Sequence, residues 1–203
     1  MMENVAGKGK RLKKDLRKEQ ILKVAHEIFT RYGYKKTTLD DISKAVRKGK
    51  SSLYYYFDSK EDLFYDVVLK EADVLKRELE SVVLRNIDPV EKLRDYIMTK
   101  LTISRDLVEF YHSSDQDSIQ VDFIEKIKQK HIKDEIRMIK RILIEGIRKN
   151  VFEVRDLTLV AIGITTAIKG LETPLSEDYG NVSLEKSVDN ILKILCYGLM
   201  KRP

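Results

Sequence analysis

Apolar residues Ile21, Ala25, Ile28, Phe29 and Tyr32 recur at helical spacing between Leu16 and Tyr32, which predicts a helix with one buried face, and Gly33 supplies its C-terminal stop. Thr38 stands three residues before Asp41, the spacing at which a hydroxyl and a carboxylate cap each other's backbone donors. A short second helix therefore begins there and turns Leu39, Ile42, Ala45 and Val46 inward. Arg47, Lys48 and Gly49 form a basic turn in which Gly49 is free to adopt positive φ. A third helix is predicted over Lys50 to Phe57. Ser59 and Asp62 repeat the capping spacing at the head of a long fourth helix, whose stripe is Leu63, Phe64, Val67, Val68, Val74, Leu75 and Leu79.

Asp88 and Pro89 mark the start of a helix running from Val90 to about Tyr111, before a polar break at Ser113 to Ser118. The stretch from Ile119 to Lys149 is either one very long helix or two that join near Gln129 to His131. Two more helices are predicted, over about Asp156 to Leu171 and Ser183 to Lys201, separated by a loop with Pro174, Ser176 and Gly180. The last carries Leu184, Val188, Ile191, Leu192, Ile194, Leu195, Cys196, Tyr197, Leu199 and Met200, which is more than a single stripe. Such a helix meets apolar partners on two sides: its own domain and a second copy of the chain in a two-fold bundle, or else it lies wholly inside the core. With three prolines and no internal repeat, the chain reads as all-α.

Composition narrows the class. The 203 residues are 42% hydrophobic and 35% charged, enough for a core without metal or disulfide staples, and the single cysteine, Cys196, has no internal partner. No signal peptide or spanning segment is legible, so a reducing cytoplasmic setting, away from the membrane, is expected. The net charge of +6 is unevenly spread: residues 1–60 hold 16 basic and 7 acidic side chains, whereas residues 61–203 hold 23 and 26. A local basic excess is what a polyanion-binding surface needs, because each neutralised phosphate releases condensed counterions.

Two short helices joined by a tight basic turn, the second bearing Lys50, Ser51, Ser52, Tyr54, Tyr55 and Tyr56, form a candidate helix-turn-helix. Lysine and serine donate to phosphates or base edges, and tyrosine adds a hydroxyl and a ring that packs on sugar or a thymine methyl. Adjacent helical tyrosines fan out by about 100°, so one faces inward and two outward. From Arg17 to about Lys70 the chain resembles the TetR family of bacterial regulators, through Ile21, Ala25, Phe29, Gly33-Tyr34, Thr37-Thr38, Ile42, Leu53-Tyr54, Tyr56-Phe57, Lys60 and Leu63. It departs from that pattern at Val46-Arg47-Lys48-Gly49 and at Ser51. The resemblance implies an N-terminal three-helix DNA-binding domain (16–60) behind a flexible basic tail (1–15), and a helical effector-binding and dimerisation domain (61–203). It gives operator-contact roles to Thr37, Thr38, Lys48, Lys50, Ser51, Ser52, Tyr54, Tyr55, Tyr56 and Lys60, and core roles to Leu53 and Phe57. The tail cations Lys8, Lys10, Arg11, Lys13 and Lys14 either reach an adjacent minor groove or merely solubilise the chain.

The same resemblance implies an inducer pocket among the helices after Lys70, with Tyr96, Phe110, Tyr111, His112, Phe123, Met138 and Thr165 as candidates against an ordinary-core reading. It assigns the dimer interface to the last two helices, with Val160, Ile164, Ile168, Val188, Ile191, Leu192, Leu195 and Leu199 as candidates. The three histidines, His26, His112 and His131, follow no metal-ligand spacing, and no nucleophile elbow accompanies Ser113 and Ser114. No cofactor and no catalysis are expected. The expected function is a dimeric repressor that binds a palindromic operator and is released by a small molecule; the alternatives are a helical binding protein or enzyme with an incidental basic end, and a constitutive DNA-binding protein.

Overall fold

The computed structural model describes residues 3–47, 49–113, 118–172 and 183–199, with side chains described outside 3–13, 105–113, 118–126, 128, 130, 172 and 196–199. The described residues form eight helices: α1 (Glu3–Tyr32), α2 (Leu39–Ala45), α3 (Lys50–Tyr54), α4 (Lys60–Leu84), α5 (Pro89–Ser113), α6 (Ser118–Arg148), α7 (Leu157–Glu172) and α8 (Leu184–Leu199). The fold is all-α, a helix-turn-helix domain followed by a helical domain. The stretch expected as one or two helices is a single helix, α6.

The chain divides into two compact units, Met1–Glu71 with Glu109–Ile124, and Ala72–Val108 with Glu125–Pro203. The first boundary falls at Glu71, not at Lys60 as expected, because the opening turns of α4 belong to the N-terminal core. Leu63, Phe64, Val67 and Val68 are buried there with Ile21, Leu22, Ala25 and Phe29 of α1. The Phe64 ring meets Phe29 edge-on at 5.6 Å and Tyr34 at 4.9 Å, the tilted geometry that aromatic quadrupoles prefer.

A second difference lies at the N-terminus. The segment 1–15, expected as a flexible tail, is helical from Glu3 and continuous with α1. Four lysines with Arg11, Leu12, Ala6 and two methionines are good helix formers, and their propensity outweighs Gly7 and Gly9.

Helix ends follow from local chemistry. Gly33, at φ 79°, closes α1 with its N–H donating to the Phe29 carbonyl at 2.9 Å. At the end of α6, Asn150 takes φ 59°, and its N–H and that of Val151 donate to the Ile147 and Gly146 carbonyls. Phe152 then folds back onto Gly146 so closely that any Cβ there would lie 2.0 Å from its ring, which leaves glycine as the fitting residue.

The second unit is built on Leu79, Leu93, Tyr96, Ile97, Ile139, Ile142, Ile164 and Val188, all almost fully buried. Two lysine–glutamate pairs lie within it: Lys92 with Glu145, and Lys100 with Glu135 at 2.7 Å. Both lysines come from α5 and both glutamates from α6, so the charges compensate each other across the helix pair, with Lys100–Glu135 buried and Glu145 half-exposed.

Candidate nucleic-acid interface

Helix α2 starts with a reciprocal cap. The Thr38 hydroxyl accepts from the Asp41 N–H at 3.2 Å, and the Asp41 carboxylate accepts from the Thr38 N–H at 2.9 Å and its hydroxyl at 2.6 Å. The Thr38 hydroxyl and backbone together hold the Asp41 carboxyl below its ordinary range. Three α2 residues, Leu39, Ile42 and Ser43, are buried, which fixes the rotation of this short helix on the core.

The turn from α2 to α3 differs from expectation. Gly49 sits at φ −67°, ψ 150° as the extended N-cap of α3, while Arg47 takes the left-handed conformation at φ 57°. Arg47 follows the C-cap residue Val46, where a helix terminates most easily by reversing φ, and its N–H donates to the Lys44 carbonyl at 3.0 Å. Lys48 lies outside the described residues.

Regular α-helix in α3 ends at Tyr54, three residues before the expected limit. The N–H groups of Tyr56 and Phe57 both donate to the Leu53 carbonyl, which tightens the chain into a turn. Leu53 and Phe57 are buried, so α3 is pinned at its middle and just past its end. Lys50 and Ser51 are exposed, Ser52 is half-buried, and Tyr54 and Tyr55 stand out at 46% and 66% exposure. Tyr56 is half-buried and packs edge-on against Tyr55 at 5.1 Å. Lys50 pairs with Asp40 at 3.1 Å across the turn; the hydrogen bond it donates to that carboxylate raises the lysine pKa and keeps it charged.

Two expected contact residues are used internally. Thr37 is buried and donates its hydroxyl to the Gly33 carbonyl at 2.7 Å, so it closes the α1–α2 turn and does not face outward. Lys60 donates to the carbonyls of Tyr34 and Thr37 at 3.0 and 3.1 Å, and its ammonium lies 4.1 Å from the Tyr34 ring centre. Lys60 thus braces the start of α4 against this loop while remaining half-exposed. Thr38, Lys50, Ser51, Tyr54 and Tyr55 are exposed and Ser52 is half-buried, and Arg47 at the turn is exposed as well.

In the second unit, Tyr96, Met138 and Thr165 are all buried, and the Thr165 hydroxyl is satisfied by the Ala161 carbonyl at 2.9 Å. Tyr96 is different: its buried hydroxyl has no hydrogen-bond partner among the described residues, and burial followed by the Glu135 charge pushes its pKa far up. The side chains of Phe110, Tyr111, His112 and Phe123 lie outside the described set.

Four of the eight expected dimer residues are taken up by the chain's own core. Ile164, Ile168, Val188 and Leu192 are buried in their own subunit's core, with Val160 and Leu195 packed against it and Ile191 half-buried; the Leu199 side chain is outside the described set. The apolar face left open is another one: Leu159 and Ile162 on α7 and Ile194 on α8 are 65%, 41% and 74% exposed. The sequence reading did not single out Leu159 and Ile162. Among the described residues no helix is long and apolar enough to cross a membrane, and no cluster of three metal-ligating side chains occurs.

Residues 21–67 match the family model of bacterial regulatory proteins, tetR family. The HTH-type transcriptional regulator QacR of Staphylococcus aureus is 26% identical over 190 residues, which is 91% of this chain and 98% of QacR. The biofilm operon icaADBC HTH-type negative transcriptional regulator IcaR of Staphylococcus epidermidis is 49% identical over 47 residues, 23% of this chain and 25% of IcaR. A crystal structure of a transcriptional regulator from Cytophaga hutchinsonii superposes with a TM-score of 0.73 at 25% identity, covering 90% of this chain and 98% of that one. A capped α2, a basic turn and an α3 with a buried spine and polar outer side thus stand within the segment that matches the TetR-family model, and along most of its length the chain is similar to the helix-turn-helix regulator QacR and to the Cytophaga hutchinsonii regulator.

Proposed function

We propose that the protein is a cytoplasmic repressor that binds a palindromic operator as a homodimer, and that a small molecule bound in the second unit releases it. The observation that carries this reading is the outer side of α3: Lys50, Ser51, Tyr54 and Tyr55 are exposed while Leu53 and Phe57 lock the helix to the core beneath them. A short helix held that way presents its donors in a fixed array to the major groove. Thr38 and Ser52 flank the array as phosphate contacts, and Arg47 adds a cation at the turn. The name of IcaR, a negative regulator, supports the sign of regulation.

Dimerisation is supported by Leu159, Ile162 and Ile194, whose exposure is costly in an isolated subunit. The effector reading is supported by the unsatisfied Tyr96 hydroxyl in an apolar core, beside a charge pair that compensates itself. A ligand that favours one spacing of two recognition helices would change DNA affinity, since half-sites about 34 Å apart tolerate little change.

The test is selection from a random duplex library by the purified protein at low salt. Enrichment of an inverted repeat with half-site centres about one helical turn apart supports the reading. Recovery of no preferred sequence, with no retention of any duplex, overturns it.

A further inference from the structure

The stretch 8–18, the N-terminal half of α1, holds seven lysines and arginines against one acid, Asp15. Nothing in the fold needs such a density of one sign. Lys18 is paired with Asp66 at 2.6 Å and placed 5.5 Å from the centre of the Phe57 ring. One turn earlier, the Lys14 ammonium lies 4.8 Å from the centre of the Tyr55 ring, on the residue that follows α3. These two contacts fix which side of α1 adjoins the recognition helix. Positions 10 and 11 lie one turn before Lys14 on its side of the helix, and positions 13 and 17 lie beside it. Arg17, like Lys14, is exposed.

We propose that the basic N-terminal half of α1 is a second DNA-contact element, which lies along the phosphates flanking the stretch that α3 reads and lengthens each half-site footprint. The inference rests on the operator-binding reading. It goes beyond it by adding contacts outside the helix-turn-helix. At about 1.5 Å per residue, the span from Lys8 to Arg17 is about 14 Å, roughly the rise of four base pairs. Lys14 links the two surfaces, its ammonium lying over the ring of Tyr55, the exposed residue that follows α3. The composition fits a duplex and not a lipid surface. Residues 8–18 offer only Leu12 and Leu16 as large apolar side chains, whereas an interfacial helix needs a broad apolar face.

The experiment compares the full chain with the combined variant Lys10→Gln, Lys13→Gln, Lys14→Gln, Arg17→Gln, which keeps good helix formers. Binding to a random-sequence duplex of about 30 base pairs is followed by anisotropy from about 50 to 300 mM salt. The proposal expects the slope of log affinity against log salt to fall by about three to four units, and affinity at about 100 mM salt to drop at least tenfold. Should the combined variant fold poorly, Lys14→Gln alone is expected to lower the slope by about one unit. A folded variant with unchanged slope overturns the proposal and leaves operator binding intact. Failure of the parent chain to bind any duplex overturns the operator reading itself, and this inference with it.

Discussion

Lys60 donates its ammonium to the carbonyl oxygen of Tyr34 at 3.0 Å while standing 4.1 Å from the centre of the same residue's ring. With the Thr37 carbonyl it bridges the first turn of α4 to the loop that leads into α2. Lys60→Met keeps the stem and strips both carbonyls of a charged donor, with an expected loss of about 2 kcal/mol in urea unfolding. DNA affinity falls alike for all sequences with an unchanged salt slope. A slope lowered by about one unit would instead give the ammonium to a phosphate.

Arg47 closes α2 in a conformation that a Cβ disfavours. Arg47→Gly is expected to raise stability by about 0.5–1 kcal/mol, the relief of the strained φ less the extra freedom of the unfolded chain. Arg47→Ala, which keeps the Cβ, is expected to give no such gain. Parallel denaturant titrations of the three proteins decide it.

The two sides of α7 should respond oppositely to charge. Leu159→Glu with Ile162→Glu places carboxylates on exposed positions and is expected to give a folded monomer in sedimentation, with operator affinity reduced accordingly. Truncating the buried neighbour, Ile164→Ala, costs about 2–4 kcal/mol of stability and leaves the association surface in place. Dimers that survive the double glutamate variant would show that another surface holds the copies together.

Tyr96 tests whether its hydroxyl is an unfavourable feature of the free protein. Tyr96→Phe removes a buried group that has no partner, so the thermal midpoint is expected to rise by the equivalent of about 1 kcal/mol. Glu135→Gln acts the other way: it leaves the Lys100 ammonium buried without its carboxylate, at a cost of about 3 kcal/mol. A lower midpoint for Tyr96→Phe would show that the hydroxyl is satisfied in solution.

Acid should destabilise both units. Glu61 is held below the usual carboxylate range, first by the Tyr34 hydroxyl at 2.7 Å, Asp134 first by Lys76, and Glu145 first by Lys149 and then Lys92. A carboxyl lowered in the folded state stabilises it above the unfolded pKa, and that contribution vanishes as pH falls through the folded pKa. The thermal midpoint is therefore expected to be flat near neutrality and to decline below about pH 4.5. Tyr34→Phe should shrink that decline, and an equal decline would remove Glu61 from the account.

Much of this protein was written in local patterns, because apolar spacing and capping pairs act within one or two turns. Ile21, Ala25 and Phe29 and the Thr38–Asp41 cap follow from residues a few positions apart, while the burial of Leu53 and Phe57 was implied by the family resemblance. What the spacing left open was which of several compatible partners each group meets. Lys60 and Thr37 looked like outward polar groups until the chain returned 23 to 27 residues later to bring Lys60 and Glu61 onto the Tyr34–Thr37 loop. Both stripes of α7 are apolar in sequence; tertiary packing buried Ile164 and Ile168 and left Leu159 and Ile162 to solvent. Positive φ went to Arg47 although Gly49 was the easier residue, because the end of α2 needs the reversal at that position and the start of α3 needs extended backbone two residues on. A linear chain specifies propensities and faces, whereas the choice between equal faces is a competition for one core that only the assembled fold resolves.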